Sequence, residues 1–181
     1  MALRKAGSYS KFYAMPYTRK SKVKKKSFIK TVPNPKVVKF KMGDVSGYNK
    51  GKYPIQLEVY TTESVQIRDN AIEAMRQYLH RFLTEQIGKD YYFEIKTVPH
   101  HILRENRMLT GAGADSMQTG MALSFGVSMS RASLIKAGKM LFLVSVLNPR
   151  HEQIARKLIY SSKTKLPCKI HVETKIKKFI I

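Results

Sequence analysis

His100, His101, Arg104, Arg107, Glu105 and Asp115 fall close together, interleaved with Gly111, Gly113, Gly120 and Gly126. Such residues could cradle a phosphate, hold a metal, or move a proton. The glycines fail as a nucleotide loop, because Gly111-Ala-Gly113-Ala-Asp115-Ser116 lacks a third glycine and no Gly-Lys-Ser/Thr follows. They also trail the preceding strand pattern by about a dozen residues, where a phosphate loop opens directly into a helix. Ser124-Phe125-Gly126 lacks the metal-binding aspartate of the kinase triplet. Adjacent His100 and His101 point to opposite faces of an extended chain, so one metal cannot easily take both. Glu105 and Asp115 could form an acid–base pair, although lone loop carboxylates more often cap or pair with cations. No catalytic residue, cofactor or metal is therefore expected. What survives is a backbone suited to close approach, with Arg104 and Arg107 as forks for phosphate. A stretch of this length without regular periodicity is either disordered or ordered by a partner.

Charge names the kind of partner. The chain has 34 Lys and Arg against 12 Asp and Glu, for a net +22. Residues 1–52 hold 15 of those cations and a single acid, Asp44, while residues 53–99 are net −2. A charge of this size repels itself, which makes a polyanion the natural partner. MALRKAGSYSKFYAMP lacks the apolar centre of a signal peptide, and the longest apolar run, MLFLV at 140–144, is too short to span a bilayer. No membrane partner is expected. A lone Cys168 excludes an internal disulfide and a thiolate zinc cluster, so a cytoplasmic protein bound to nucleic acid is expected.

The elements that must position these residues follow from periodicity. PIQLEVY (54–60) alternates, with Ile55, Leu57 and Val59 on one face of a strand. Thr62 or Ser64 can cap a helix carrying Ile72, Met75, Leu79, Phe82 and Ile87, which Gly88 ends. YYFEIKTV (91–98) is a second strand and MLFLVSVL (140–147) a central one. Asn148-Pro149 starts a second helix with Ile154, Ala155, Leu158 and Ile159 inward, and CKIHVET (168–174) is a last strand. Two strand–helix–strand units give an α+β plan, two helices on one face of a mainly antiparallel sheet. Pattern alone suggests a ferredoxin-like arrangement. The first 52 residues read as an arm, with cations for phosphates and interleaved Tyr and Phe for bases or crevices.

Several motifs resemble one family: PYTR (16–19), VPNPKVVKF (32–40), VQIRDNAIEA (65–74), PHHILRENRMLTGAGAD (99–115) and MQTGM (117–121), with fainter AGKMLF (137–142) and LPCKI (166–170). In the same order they occur in large-subunit ribosomal protein ten of archaea and eukaryotes, the counterpart of bacterial large-subunit protein sixteen. The resemblance implies a two-layer α/β hammerhead-type domain in place of the ferredoxin-like one, with two helices on a mainly antiparallel sheet and an extended basic N-terminal arm. It implies a structural constituent of the large ribosomal subunit that binds ribosomal RNA and helps position tRNA near the peptidyl transferase centre. Neighbouring ribosomal proteins are implied as further partners, the ribosome in the cytoplasm as location, and neither homo-oligomer nor enzyme. A free ribosome-assembly factor is the alternative reading.

The division expected is a basic RNA-binding arm (1–34), one α+β domain (35–175) with a long functional loop (103–130), and a basic and apolar tail (176–181). Expected RNA contacts in the arm are Arg4, Lys5, Tyr17, Arg19, Lys20, Lys22, Lys24, Lys25, Lys26, Lys30 and Lys36. In the domain they are Arg68, Arg104, Arg107 and Arg131. The tRNA-facing loop implied by the resemblance comprises Met108, Leu109, Thr110, Gly111, Ala112, Gly113, Ala114, Asp115, Ser116 and Met117. Three departures stand out: Ser116 and Ala122 occupy positions where the family has arginine, and Phe125-Gly-Val-Ser-Met-Ser130 replaces Phe-Gly-Lys-Pro-x-Gly. Changing Lys24, Lys25 and Lys26 to Ala is expected to flatten the salt dependence of RNA binding, by up to about 0.7–0.9 for each phosphate no longer neutralised. An unchanged slope in a salt titration would mean that the triplet is merely solvated.

Overall fold

The alternation in PIQLEVY becomes strand β2 (Ile55–Thr61), whose Leu57 and Val59 are fully buried. The computed structural model describes residues 5–12, 29, 31–106, 111–117, 121 and 126–177. Ahead of β2 lie a short strand β1 (Lys41–Gly43) and helix α1 (Val45–Asn49). Behind it come β3 (Val65–Arg68), α2 (Asp69–Ile87), β4 (Tyr91–Ile95) and β5 (His101–Glu105). The next described elements are a single helical turn, α3 (Ala114–Met117), then β6 (Val127–Ile135) and β7 (Met140–Val146). Helix α4 (Pro149–Ser162), a 3-10 turn (Lys163–Lys165) and β8 (Ile170–Ile176) complete them.

The described strands form two antiparallel sheets. The larger has the order β1-β4-β7-β2-β8, and the smaller has the order β3-β6-β5. On one face of the large sheet the rows Leu57–Val144–Phe93 and Val59–Phe142–Ile95 are in register. Phe93 and Phe142 meet edge to face there at 5.8 Å, a geometry that aromatic quadrupoles favour. Helices α2 and α4 cover this face with Ile72, Met75, Leu79, Leu83, Ala155 and Ile159. On the opposite face, Tyr48 of α1 stacks on Tyr92 at 3.9 Å and shields a second cluster of Tyr53, Tyr92 and Leu143.

The α+β plan with two helices on a mainly antiparallel sheet is present. β7 is central, and Gly88 ends α2 with φ +79 while its N–H bonds Thr84 O. Cys168 is buried, and strand β8 begins two residues after it, at Ile170, so CKIHVET enters the strand later than its pattern suggests. Other expectations need correction. The helix expected behind a Thr62 or Ser64 cap, α2, starts instead at Asp69, because Val65 and Ile67 pair with Ile135 and Ser133 of β6 as a strand. The expected loop 103–130 is trimmed at both ends, since Leu103–Glu105 and Val127–Ser130 are paired as a hairpin. The structure thus contains a second sheet that the periodicity of the longer apolar runs did not reveal.

Leu79 is fully buried between α2 and the large sheet. Leu79→Ala should cost about 2–5 kcal/mol in a urea titration, through lost transfer energy and the void left behind. Val38→Ala, at a side chain 76% exposed, should change stability by less than about 0.5 kcal/mol.

Candidate nucleic-acid interface

The hairpin of β5 and β6 carries the stretch in which the candidate chemistry is concentrated. His101 pairs with Ala132, Ile102 with Arg131 and Leu103 with Ser130. The register then slips between Leu103 and Arg104, so that Arg104 faces Ser128 and Glu105 faces Val127. An irregularity of this kind bends and twists a strand near its end. Gly126 closes the base of the hairpin with φ +79. A Cβ there would lie 2.6–2.7 Å from the backbone of Glu105 and Asn106, so only glycine fits. Its close approach is to its own hairpin. Gly111 and Gly113 differ, because a Cβ on either would meet nothing within 4 Å. They also have positive φ and lead into α3, with Ala114 N–H on Gly111 O and Ser116 N–H on Gly113 O, both at 3.3 Å.

Gly111, Ala112, Gly113, Asp115 and Ser116 are exposed and Ala114 is half-buried. Met117 ends α3. Met108, Leu109, Thr110 and Arg107 lie outside the described residues, as do Arg4, Tyr17, Arg19, Lys20, Lys22, Lys24, Lys25, Lys26 and Lys30. Residues 178–181 of the expected tail also fall outside them. Lys5 and Lys36 are exposed, and Arg104 and Arg131 are half-buried.

Arg68 needs correction. Only 2% of it is exposed, and its Nη2 donates to Lys5 O at 2.6 Å. A guanidinium held this way is enclosed against the N-terminal segment and does not stand at the surface. Its neighbour Gln66 does related work that its residue type did not advertise. Gln66 Nε2 donates to Tyr9 O at 2.7 Å, and Gln66 N–H to Ser10 O at 3.0 Å. On the other side, Ser128 Oγ donates to Thr31 O, and Arg131 Nε to Pro33 O at 2.8 Å. Ile29 and Val37 are buried beside this return path. The small sheet therefore grips the N-terminal chain twice, and only the alternation of VSMSRASLI could have hinted at β6.

Asp69 ties this sheet to α2. It is fully buried, with Oδ1 accepting Asn70 N–H at 2.8 Å and Oδ2 accepting Arg131 N–H at 3.3 Å. Among the described residues no group of three or more His, Cys, Asp or Glu side chains could hold a metal. A cavity of about 470 Å³ is lined by Asp44, His80, Thr84, Lys89, Asp90 and Tyr91, and all of these but Lys89 take part in side-chain hydrogen bonds. His80 Nδ1 and Tyr91 OH are 2.7 Å apart, and Lys52 Nζ donates to Asp90 at 2.8 Å.

With this geometry in place, comparison with known sequences is decisive. The family described as "Ribosomal protein L16p/L10e" matches residues 15–173. The chain belongs to that family. It is 37% identical over 183 residues to large ribosomal subunit protein uL16 of Methanococcus maripaludis, covering 99% of each chain. It is 38% identical over 168 residues to uL16 of Staphylothermus marinus, and 36% over 168 residues to that of Pyrobaculum neutrophilum. Those alignments cover 92% of this chain and 90% and 88% of the relatives. Within this L16p/L10e member, the matched region takes in the grip on β6 and the whole hairpin.

His101, 1% exposed in β5, has its pKa lowered by burial first and by the charge of His100 second. The unfolded chain therefore binds that proton more tightly. The stability contributed by neutral His101 is complete above the unfolded value of about 6.5 and is lost as pH falls through the lower folded value. His80 adds in the same direction, through burial and then the cations Arg76 and Lys39. Denaturation midpoints measured against pH should fall on the acid side, and less steeply in His101→Gln. An equally steep fall in that variant would assign the titration to other groups.

Proposed function

We propose that the chain is a structural constituent of the large ribosomal subunit, binding ribosomal RNA and helping to hold tRNA near the peptidyl transferase centre. The family match over residues 15–173 carries this reading. The large net charge agrees with a binding role. The two-sheet α+β architecture is compatible with the hammerhead-type domain expected of the family, and the N-terminal residues serve as its RNA-binding arm.

In this role the cations of the arm, Lys36, Arg104, Arg107 and Arg131 neutralise phosphates of ribosomal RNA. Arg68 does not belong with them, because it is enclosed. The exposed turn 111–116, with its neighbours 108–110 and Met117, faces tRNA. It positions and does not react, since orientation alone lowers the barrier of a reaction between two bound substrates. Neighbouring ribosomal proteins complete the set of partners in the cytoplasmic ribosome, and the chain acts as a single copy.

Stoichiometric co-sedimentation with salt-washed large subunits is the expected outcome. Release at moderate salt would instead indicate an assembly factor that leaves the particle. A chain lacking 109–119 should sediment with the subunit as the intact chain does, yet support less tRNA-dependent peptide synthesis. Equal synthesis would remove the tRNA-facing role from that loop.

A further inference from the structure

We propose that Gln66, Ser128 and Arg131 are positioning residues for RNA binding, pinning the two roots of the basic arm to neighbouring strands of the small sheet. The inference rests on the reading of the arm as RNA-binding and adds a requirement to it. A basic extension needs only its charge to attract a polyanion. This one is held at both ends, at residues 5–10 and at 29–33.

The first root is gripped through its backbone. Gln66 N–H meets Ser10 O at 3.0 Å, and Gln66 Nε2 meets Tyr9 O at 2.7 Å. Tyr9 itself has φ +60, a left-handed conformation that a non-glycine residue keeps only when its surroundings impose it. Turns bonded Ser8 N–H to Lys5 O and Ser10 N–H to Gly7 O bracket it. Gln66 is 2% exposed, so these bonds are sheltered from competing water.

The second root is gripped from β6. Ser128 Oγ reaches Thr31 O, Arg131 Nε reaches Pro33 O at 2.8 Å, and Ile29 is 4% exposed. All the acceptors, Tyr9, Ser10, Thr31 and Pro33, are main-chain carbonyls. The grips therefore depend little on which side chains the arm carries. Strands β3 and β6 are paired directly, Gln66 opposite Leu134 and Arg68 opposite Ala132, so both grips belong to one small rigid unit. Fixing both roots before RNA arrives removes part of the ordering cost that a one-ended tail meets on binding.

Charge and positioning can be separated in the full chain. Gln66→Met keeps the volume and removes the side-chain donor to Tyr9 O, Ser128→Ala removes the hydroxyl, and Arg131→Lys keeps the charge while removing Nε. Binding to a fluorescein-labelled hairpin of large-subunit ribosomal RNA is titrated across a salt series for the parent, this triple variant, and the Lys24, Lys25 and Lys26 to Ala variant. The triple variant should bind roughly tenfold more weakly with an unchanged salt slope, because every phosphate keeps its cation. Exchange of the Gln66 amide hydrogen should quicken in it while the exchange of β2 and β7 stays slow. Parental affinity in the triple variant overturns the proposal, and so does a flattened slope, which would mean that phosphate contacts were lost and not positioning. If the triple variant unfolds, Ser128→Ala alone is read by the same criteria. An unaltered Lys-triplet variant would be a separate failure, that of RNA binding by the arm itself.

Discussion

The buried carboxylate of Asp69 fixes where the two sheets meet. It is the first residue of α2, directly after β3, and it accepts the main-chain N–H of Arg131 from β6. A fully buried carboxylate is costly to hold unless its oxygens find donors, and here both do. One bond satisfies the start of the helix. The other stitches that start to the middle of the small sheet. The helix runs from there across the large sheet, so this side chain adds to the pairing of β3 with β6 in joining the hairpin to the core.

From that junction outward, enclosure declines in steps. The core rows of β2, β4 and β7 are packed by α2 and α4, whereas the hairpin of β5 and β6 keeps only its lower half inside. Leu103 and Ser130 are buried, yet Glu105 is half-buried and Val127 exposed. Ser116, one of the positions that depart from the family's arginines, is exposed, so a substitution there costs the fold little. Ala122, the second, lies outside the described residues. The third departure is different. Val127-Ser-Met-Ser130 is paired strand, and its Ser128 holds Thr31, so this part of the sequence answers to the sheet.

Long alternating or helical runs were legible: Ile55, Leu57 and Val59, the stripe from Ile72 to Ile87, and the apolar β7 all lie where periodicity puts them. The small sheet was not. Val65–Arg68 is four residues long, and its two polar positions look like the solvent face of a helix start. In β6, Ser128 and Arg131 bond the distant carbonyls of Thr31 and Pro33, and no local pattern records partners so far along the chain. Arg68 misled by type, since a cation in so basic a chain suggests phosphate when its acceptor is the Lys5 carbonyl. Gly126 misled by the same route. It does permit a close approach, but the object approached is the chain itself.

The register of β8 on β2 has a bearing on the order in which the protein can be made. Ile55 lies opposite Ile176, and Leu57 opposite Thr174, so the first long strand of the large sheet is flanked by the last. Contacts so distant along the chain close late and slow the folding of a domain. During synthesis the most cationic part emerges well before the strand that completes the sheet exists. For that interval a strongly basic segment is attached to an unfinished core, in a cell full of RNA. The earliest intermolecular encounter of the nascent chain can therefore precede its own folding, and the sheet must finish forming in whatever company the arm has already found.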